Sequence, residues 1–181
     1  MNTVFEESGL RFTFDEQWRV FQYDTCPHFL HRMQETRGSA AVDFIGLHGK
    51  ALYLFEVKNL RHTEWQTPEK IEGIARKVRD TVAGAVGAAR LKASPVETWP
   101  EVVRCLTTAP AAGGPKEAVH VLAWIELPRL SSLGKTKGDY QKSLSKKLRW
   151  LNADVLLLNS HDPEALRIPG LSVTRLPYPP P

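Results

Sequence analysis

AVDFIGLHGKALYLFEVKN, residues Ala41 to Asn59, reads as two β-strands meeting at a turn around His48-Gly49. Val, Ile, Leu, Phe and Tyr dominate both arms, and glycine breaks the run between them. Three charges interrupt the apolar pattern: Asp43 in the first strand, Glu56 and Lys58 in the second. A charge inside an apolar strand is costly unless it is paired or bound to a metal. Side chains alternate across a strand, so Glu56 and Lys58 share a face. With an even loop of His48-Gly49, Leu47 faces Lys50 and Asp43 falls opposite Leu54. Asp43 and Glu56 are then diagonal neighbours, with Cα atoms roughly 7–8 Å apart. Two carboxylates at that distance can converge on one cation, because Mg–O bonds are roughly 2.0–2.1 Å long. An odd loop would turn Asp43 to the opposite face. The competing reading is a cross-strand ion pair between Asp43 and Lys58 on a solvated face. Phe44, Leu52, Leu54, Phe55 and Val57 speak against it, since they leave neither face polar and mark the second strand as central.

The pattern Asp43, twelve residues, then Glu56-Val57-Lys58 resembles the PD-(D/E)XK nuclease superfamily. Val42 stands where that family often has proline. The resemblance implies a restriction-endonuclease-like α/β fold, a mixed β-sheet core flanked by helices on both faces. It implies that Asp43, Glu56 and the backbone carbonyl of Val57 hold Mg²⁺ or Mn²⁺. Lys58 would then orient the attacking water or stabilise the pentavalent phosphorus, making Asp43, Glu56 and Lys58 the catalytic set. An additional acid on a helix before the hairpin is expected near the metal; Glu35 is the candidate by position, with Glu16 second. Arg37, in the loop leading into the hairpin, would touch a phosphate or else stay solvated, and Gln66, past the second strand, is expected at the surface, with reach to the site as the alternative. The implied activity is metal-dependent hydrolysis of phosphodiester bonds. DNA is favoured over RNA, in repair, restriction or defence, and a homodimer would suit double-strand cleavage. The alternative is a catalytically inactive protein of this fold, acting as a nucleic-acid-binding or protein-interaction module.

The whole chain is compatible with that reading. At 181 residues and 42% hydrophobic, it has the material for one domain with a substantial core. The nuclease-like core is expected over about residues 24–160, with a Pro-rich tail from 174. A net charge of +4 suits an anionic partner without identifying one. Cys26 and Cys105 are isolated, which gives no disulfide framework and fits a reducing cytoplasm. The start, MNTVFEESGL, lacks the pattern of a signal peptide. No apolar run is long enough to span a bilayer, so no membrane partner is expected. Cys26, His28 and His31 are too few, and wrongly spaced, for a structural zinc site.

The remaining elements follow from periodicity. Leu10–Phe14 alternates like a strand, and Asp24–Glu35 is expected to be helical with Phe29, Leu30 and Met33 inward. Thr67-Pro68-Glu69 opens a long helix. Its apolar stripe is Ile71, Ile74, Val78, Val82, Val86 and Ala89. Gly73, Gly84 and Gly87 point to close approach of this helix to the sheet, and Lys70, Arg76, Lys77, Arg79 and Arg90 line its solvated outside. Ala118–Leu127 is an apolar, central strand. Asp139 is expected to cap a helix through Leu151, with Tyr140, Leu144, Leu148 and Leu151 inward. Lys142, Lys146 and Arg149 sit at helical spacing on the other side. With Arg129, Lys135, Lys137 and Lys147 they form the densest basic region, either solvated or neutralised by phosphates, and a better candidate for nucleic-acid contact than any other surface. Asp154–Asn159 is a final buried strand, followed by a turn and an edge strand within 163–173.

Overall fold

The computed structural model describes residues 1–35, 38–60, 67–95, 97–108, 119–126 and 134–177. Strands β1 (Thr3–Glu7), β2 (Leu10–Phe14) and β8 (Leu171–Arg175) form one antiparallel sheet in the order β1-β2-β8. Strands β3 (Trp18–Gln22), β4 (Phe44–His48), β5 (Ala51–Asn59), β6 (Val119–Glu126) and β7 (Asp154–Leu158) form a second sheet in that order. It is mixed: β3-β4-β5 run antiparallel, and β5-β6-β7 run parallel. β5 is its middle strand, as its two apolar faces require.

The hairpin register differs from the sequence expectation by one step of the turn. Leu47 pairs with Leu52 and His48 with Ala51, so the loop is Gly49-Lys50 and not His48-Gly49. Gly49 has φ +58° and Lys50 no positive φ, which matches a two-residue hairpin turn with glycine at its first central position. The ladder Phe44↔Phe55 projects Asp43 opposite Glu56, not opposite Leu54. The loop is still even, so Asp43 keeps the face of Glu56 and Lys58.

The two faces of the five-stranded sheet are covered differently. Helices α1 (Thr67–Leu91), α2 (Trp99–Thr107) and α3 (Gly134–Lys147) share one core with Ile45, Leu47, Leu52, Leu54, Val121 and Ala123. The opposite face, with Phe44, Phe55, Val57, Leu122 and Trp124, packs on Leu10, Phe12 and Phe14 of the three-stranded sheet. The expected arrangement of helices on both faces is therefore corrected: among the described residues, the second face is covered by a sheet and the short turn Ala165–Arg167. Aromatic rings suit that layer, where Phe14 meets Phe55 and Phe12 meets Trp124 edge to face at centroid distances of 5.6 Å. Leu10, Phe12 and Phe14 of β2 are fully buried in this layer.

Two helices depart from their expected form. Residues before the hairpin make only a short helical segment ending in a π-helical turn, Phe29–Met33. α3 begins at Gly134, so Asp139 lies inside it and not at its cap, and Arg149–Leu151 follows as a 3₁₀ turn. In α1, Val86 is exposed, while Ala85 and Ala88 face the core. Strict spacing from Ile71 drifts off the buried face over a helix of this length. Close approach occurs at Gly84, where a Cβ would stand 2.0 Å from the hydroxyl of fully buried Tyr23. At Gly73 a Cβ would meet nothing within 4 Å. Gly84→Ala is accordingly expected to lower stability by about 1–3 kcal/mol through overpacking. Gly73→Ala should raise it by about 0.5–1 kcal/mol through helix propensity. Thermal unfolding of the two variants reads both signs.

Candidate functional site

The site forms where the start of β4, the end of β5 and α1 meet. α1 fixes the chain entering β4: Ala40 N–H donates to Asp80 Oδ2 at 3.1 Å and Val42 N–H to Thr81 Oγ1 at 3.0 Å. Asp43 N–H donates to the Phe55 carbonyl at 2.9 Å, and Tyr23 N–H donates to the Asp43 carbonyl at 2.9 Å. With its backbone held on both sides, Asp43 turns its side chain toward β5, where Oδ2 accepts the Val57 N–H at 2.6 Å.

Glu56 projects from β5 toward the helices and is 0% exposed. Lys58, two residues on and 37% exposed, brings Nζ to 2.6 Å from Glu56 Oε1. The structure therefore places Asp43, Glu56 and Lys58 together. It adds a residue that sequence reading placed on the solvated outside of α1. Lys77 Nζ lies 2.9 Å from Glu56 Oε2 and 3.6 Å from Asp43 Oδ1, bridging the two carboxylates. Both Glu56 oxygens are therefore met by ammonium groups, Oε1 by Lys58 and Oε2 by Lys77. The cross-strand pair weighed from sequence, Asp43 with Lys58, is replaced by Asp43–Lys77 and Lys58–Glu56.

Electrostatics follow from this crowding. Burial, and then the nearby Asp43 carboxylate, raise the pKa of Glu56, with Lys58 and Lys77 opposing. Burial alone would depress Lys77, but Glu56 and Asp43 outweigh it and raise its pKa. Asp24, just ahead of the π-helical turn, is raised by burial and by Asp43, and its Oδ1 is buried without a hydrogen-bond partner.

Asp24 is thus an acid that feels the Asp43 charge, although it forms no three-acid group with Asp43 and Glu56 among the described residues. Glu35 is exposed beyond the π-helical turn, and Glu16 is exposed beside the Met1 amino group at 3.5 Å. Neither positional candidate joins the ion pairs of Asp43, Glu56 and Lys58 among the described residues. Glu35 follows the π-helical turn that ends at Met33, and Glu16 sits in the turn joining β2 to β3. Arg37, Gln66, Arg129 and the side chain of Lys135 lie outside the described residues.

On α3 the basic group divides. Lys137 pairs with Asp162 at 2.5 Å and Glu164 at 3.6 Å, and Lys147 pairs with Glu72 of α1. Lys142, Lys146 and Arg149 are exposed and form no ion pair among the described residues. Beside Arg149, Trp150 is 55% exposed.

A second buried glutamate has a different environment. Glu126, at the end of β6 and 0% exposed, accepts from Trp124 Nε1 at 3.0 Å and Ser160 N–H at 2.7 Å. It also accepts from the Ser160 hydroxyl at 3.1 Å, and Arg175 grips Oε2 at 3.1 and 2.7 Å. Burial works to raise its pKa, but the donors from Ser160, Arg175 and Trp124 hold it below the usual value.

Among the described residues, no group of three or more His, Cys, Asp or Glu side chains is arranged to hold a metal. The Cys26 and His28 region forms no such centre, and both cysteines are free. The oxygens of Asp43 and Glu56 still suit a hard divalent ion, which commonly takes one or two carboxylates and completes its shell with water and substrate oxygens. A buried Glu56 carboxylate already facing a cation that Asp43 shares is the donor arrangement that such an ion would use.

No helix among the described residues is long and apolar enough to cross a membrane. No family model matches the chain, and no solved structure matches it significantly. Among curated proteins, the chain is similar to a cysteine–tRNA ligase of Neisseria meningitidis serogroup A / serotype 4A, 29% identical over 118 residues. That similarity covers 48% of this chain and 17% of the ligase, so the chain spans under a fifth of that relative.

Proposed function

We propose that this protein is a metal-dependent phosphodiesterase of the PD-(D/E)XK type, acting on nucleic acid, with DNA favoured. The observation that carries the reading is a single ammonium shared by Asp43 and Glu56 in a site closed to water on the Glu56 side. Two carboxylates kept together at a buried point are electrostatically unfavourable unless a cation joins them. Asp43, Glu56 and the Val57 carbonyl would hold Mg²⁺ or Mn²⁺. Such an ion supplies charge stabilisation at a phosphoryl oxygen and a bound water of lowered pKa. Asp43 is orientated for this by the Val57 N–H, which leaves Oδ1 directed to the shared cation. Lys58, paired with Glu56 yet partly exposed, is the member able to meet an incoming phosphate. Lys142, Lys146 and Arg149 offer cations to the backbone, and Trp150 offers a ring on which a base can stack.

One observation favours a second reading. Asp43, Glu56, Lys58 and Lys77 sum to zero charge, so the four could be a closed ion-pair network in a nucleic-acid-binding module that does not cut. The test is incubation of the purified chain with Mn²⁺ or Mg²⁺ and end-labelled single- and double-stranded DNA and RNA. RNA belongs in the set because the relative's name is that of a tRNA ligase. The expected result is cleavage that falls by roughly 10²–10³-fold or more in Asp43→Asn and Lys58→Ala. Binding with no cleavage would instead favour the module, and neither binding nor cleavage would overturn both readings.

A further inference from the structure

The position of Lys77 carries an inference that rests on the metal reading above and deepens it. Its side chain arrives from a helix, is 24% exposed, and ends between two carboxylates contributed by different strands. Lys58 compensates Glu56 at Oε1, leaving Oε2 and Asp43 Oδ1 as the oxygens that Lys77 alone bridges. Those are the two side-chain oxygens best placed to share a divalent ion. An ammonium and a metal cannot occupy one point, and like charges a few ångströms apart repel by about 4 kcal/mol at an effective dielectric near 20.

We infer that Lys77 is an internal competitor for the metal position, so that a divalent ion binds only as the Lys77 ammonium withdraws toward solvent. The exchange breaks no covalent bond. One charged nitrogen leaves the carboxylate pair, its four-carbon stem swings outward, and the ion takes its place. Lys77 thereby sets the metal affinity and keeps the carboxylate pair compensated when metal is scarce. Lys58 stays on Glu56 throughout, which separates the two lysines by role although both begin as partners of one carboxylate.

Manganese binding to the full chain, followed by the electron paramagnetic resonance signal of free Mn²⁺ at fixed ionic strength, tests this without a cleavage assay. Lys77→Met is expected to bind Mn²⁺ at least about tenfold more tightly than the wild-type chain, given the repulsion it removes. Equal or weaker binding by Lys77→Met would overturn the competitor role while leaving the metal site standing. Absence of Mn²⁺ binding in both chains would overturn the metal reading itself, and this inference with it. A second measurement uses only the wild-type chain and so survives misfolding of the variant. Saturating Mn²⁺ should increase acylation of Lys77 by an amine-reactive reagent, read by mass spectrometry, relative to Lys58. Unchanged or reduced labelling of Lys77 would count against the exchange.

Discussion

Glu126→Gln should lower the stability of the folded chain by roughly 3 kcal/mol, the scale for breaking a buried, hydrogen-bonded charge pair. For a chain of this size that is a drop of about 6–12 °C in melting temperature. The carboxylate accepts from the Trp124 ring N–H, the Ser160 backbone and hydroxyl, and two nitrogens of Arg175. A glutamine must turn its own N–H₂ toward donors on one side, leaving Trp124 and Ser160, or Arg175, without an acceptor. Arg175 is 35% exposed and can retreat into water, which keeps the estimate at the low end. The pH dependence has a definite sign. The folded pKa of Glu126 is depressed, so its stabilisation is present above the ordinary value of 4.5 and disappears as pH falls through the lower folded value. The acid limb of stability against pH should therefore flatten in Glu126→Gln. A limb identical to wild type would refute this assignment.

Glu56→Gln should behave in the opposite way. Its stability is expected to stay level or rise by about 1 kcal/mol, while metal binding and any cleavage are lost. Both glutamates are 0% exposed, but Glu56 is met only by two partly exposed ammonium groups and sits beside a second carboxylate, and burial with that neighbour raises its pKa. Removing its charge relieves that repulsion. Lys58 and Lys77 are 37% and 24% exposed and can turn to water. Chemical denaturation of both variants side by side checks the contrast. If Glu56→Gln loses as much stability as Glu126→Gln, Glu56 is a structural ion-pair partner and the case for a metal there fails.

The parts of this arrangement written into one segment were readable from it. Asp43, Glu56 and Lys58 share a face because strand periodicity is two. That survived a mistaken turn because shifting the loop from His48-Gly49 to Gly49-Lys50 kept it even. What depended on distant segments was not readable. Lys77 lies next to Val78 at the margin of the α1 stripe, and nothing local says that this margin passes over two strand carboxylates. Asp24 was equally unmarked, because its burial near Asp43 depends on the packing of the segment ahead of the π-helical turn. The three-stranded cover was hidden for a related reason. Its strands are five residues each and come from opposite ends of the described chain. Glu126 gave no signal either, since its donors at Ser160 and Arg175 come from later segments.

The cover joins Leu10 of β2 to Arg175 of β8, and Arg175 in turn reaches Glu126. During synthesis, β2 leaves the ribosome early and must wait for β8 before its ladder is complete, since residues made late close loops opened early. Until then Phe12, Phe14, Phe44 and Trp124 have only part of their shelter. A nascent chain halted before residue 171 would expose that aromatic layer to solvent and to chaperones, with the carboxylate hairpin already made.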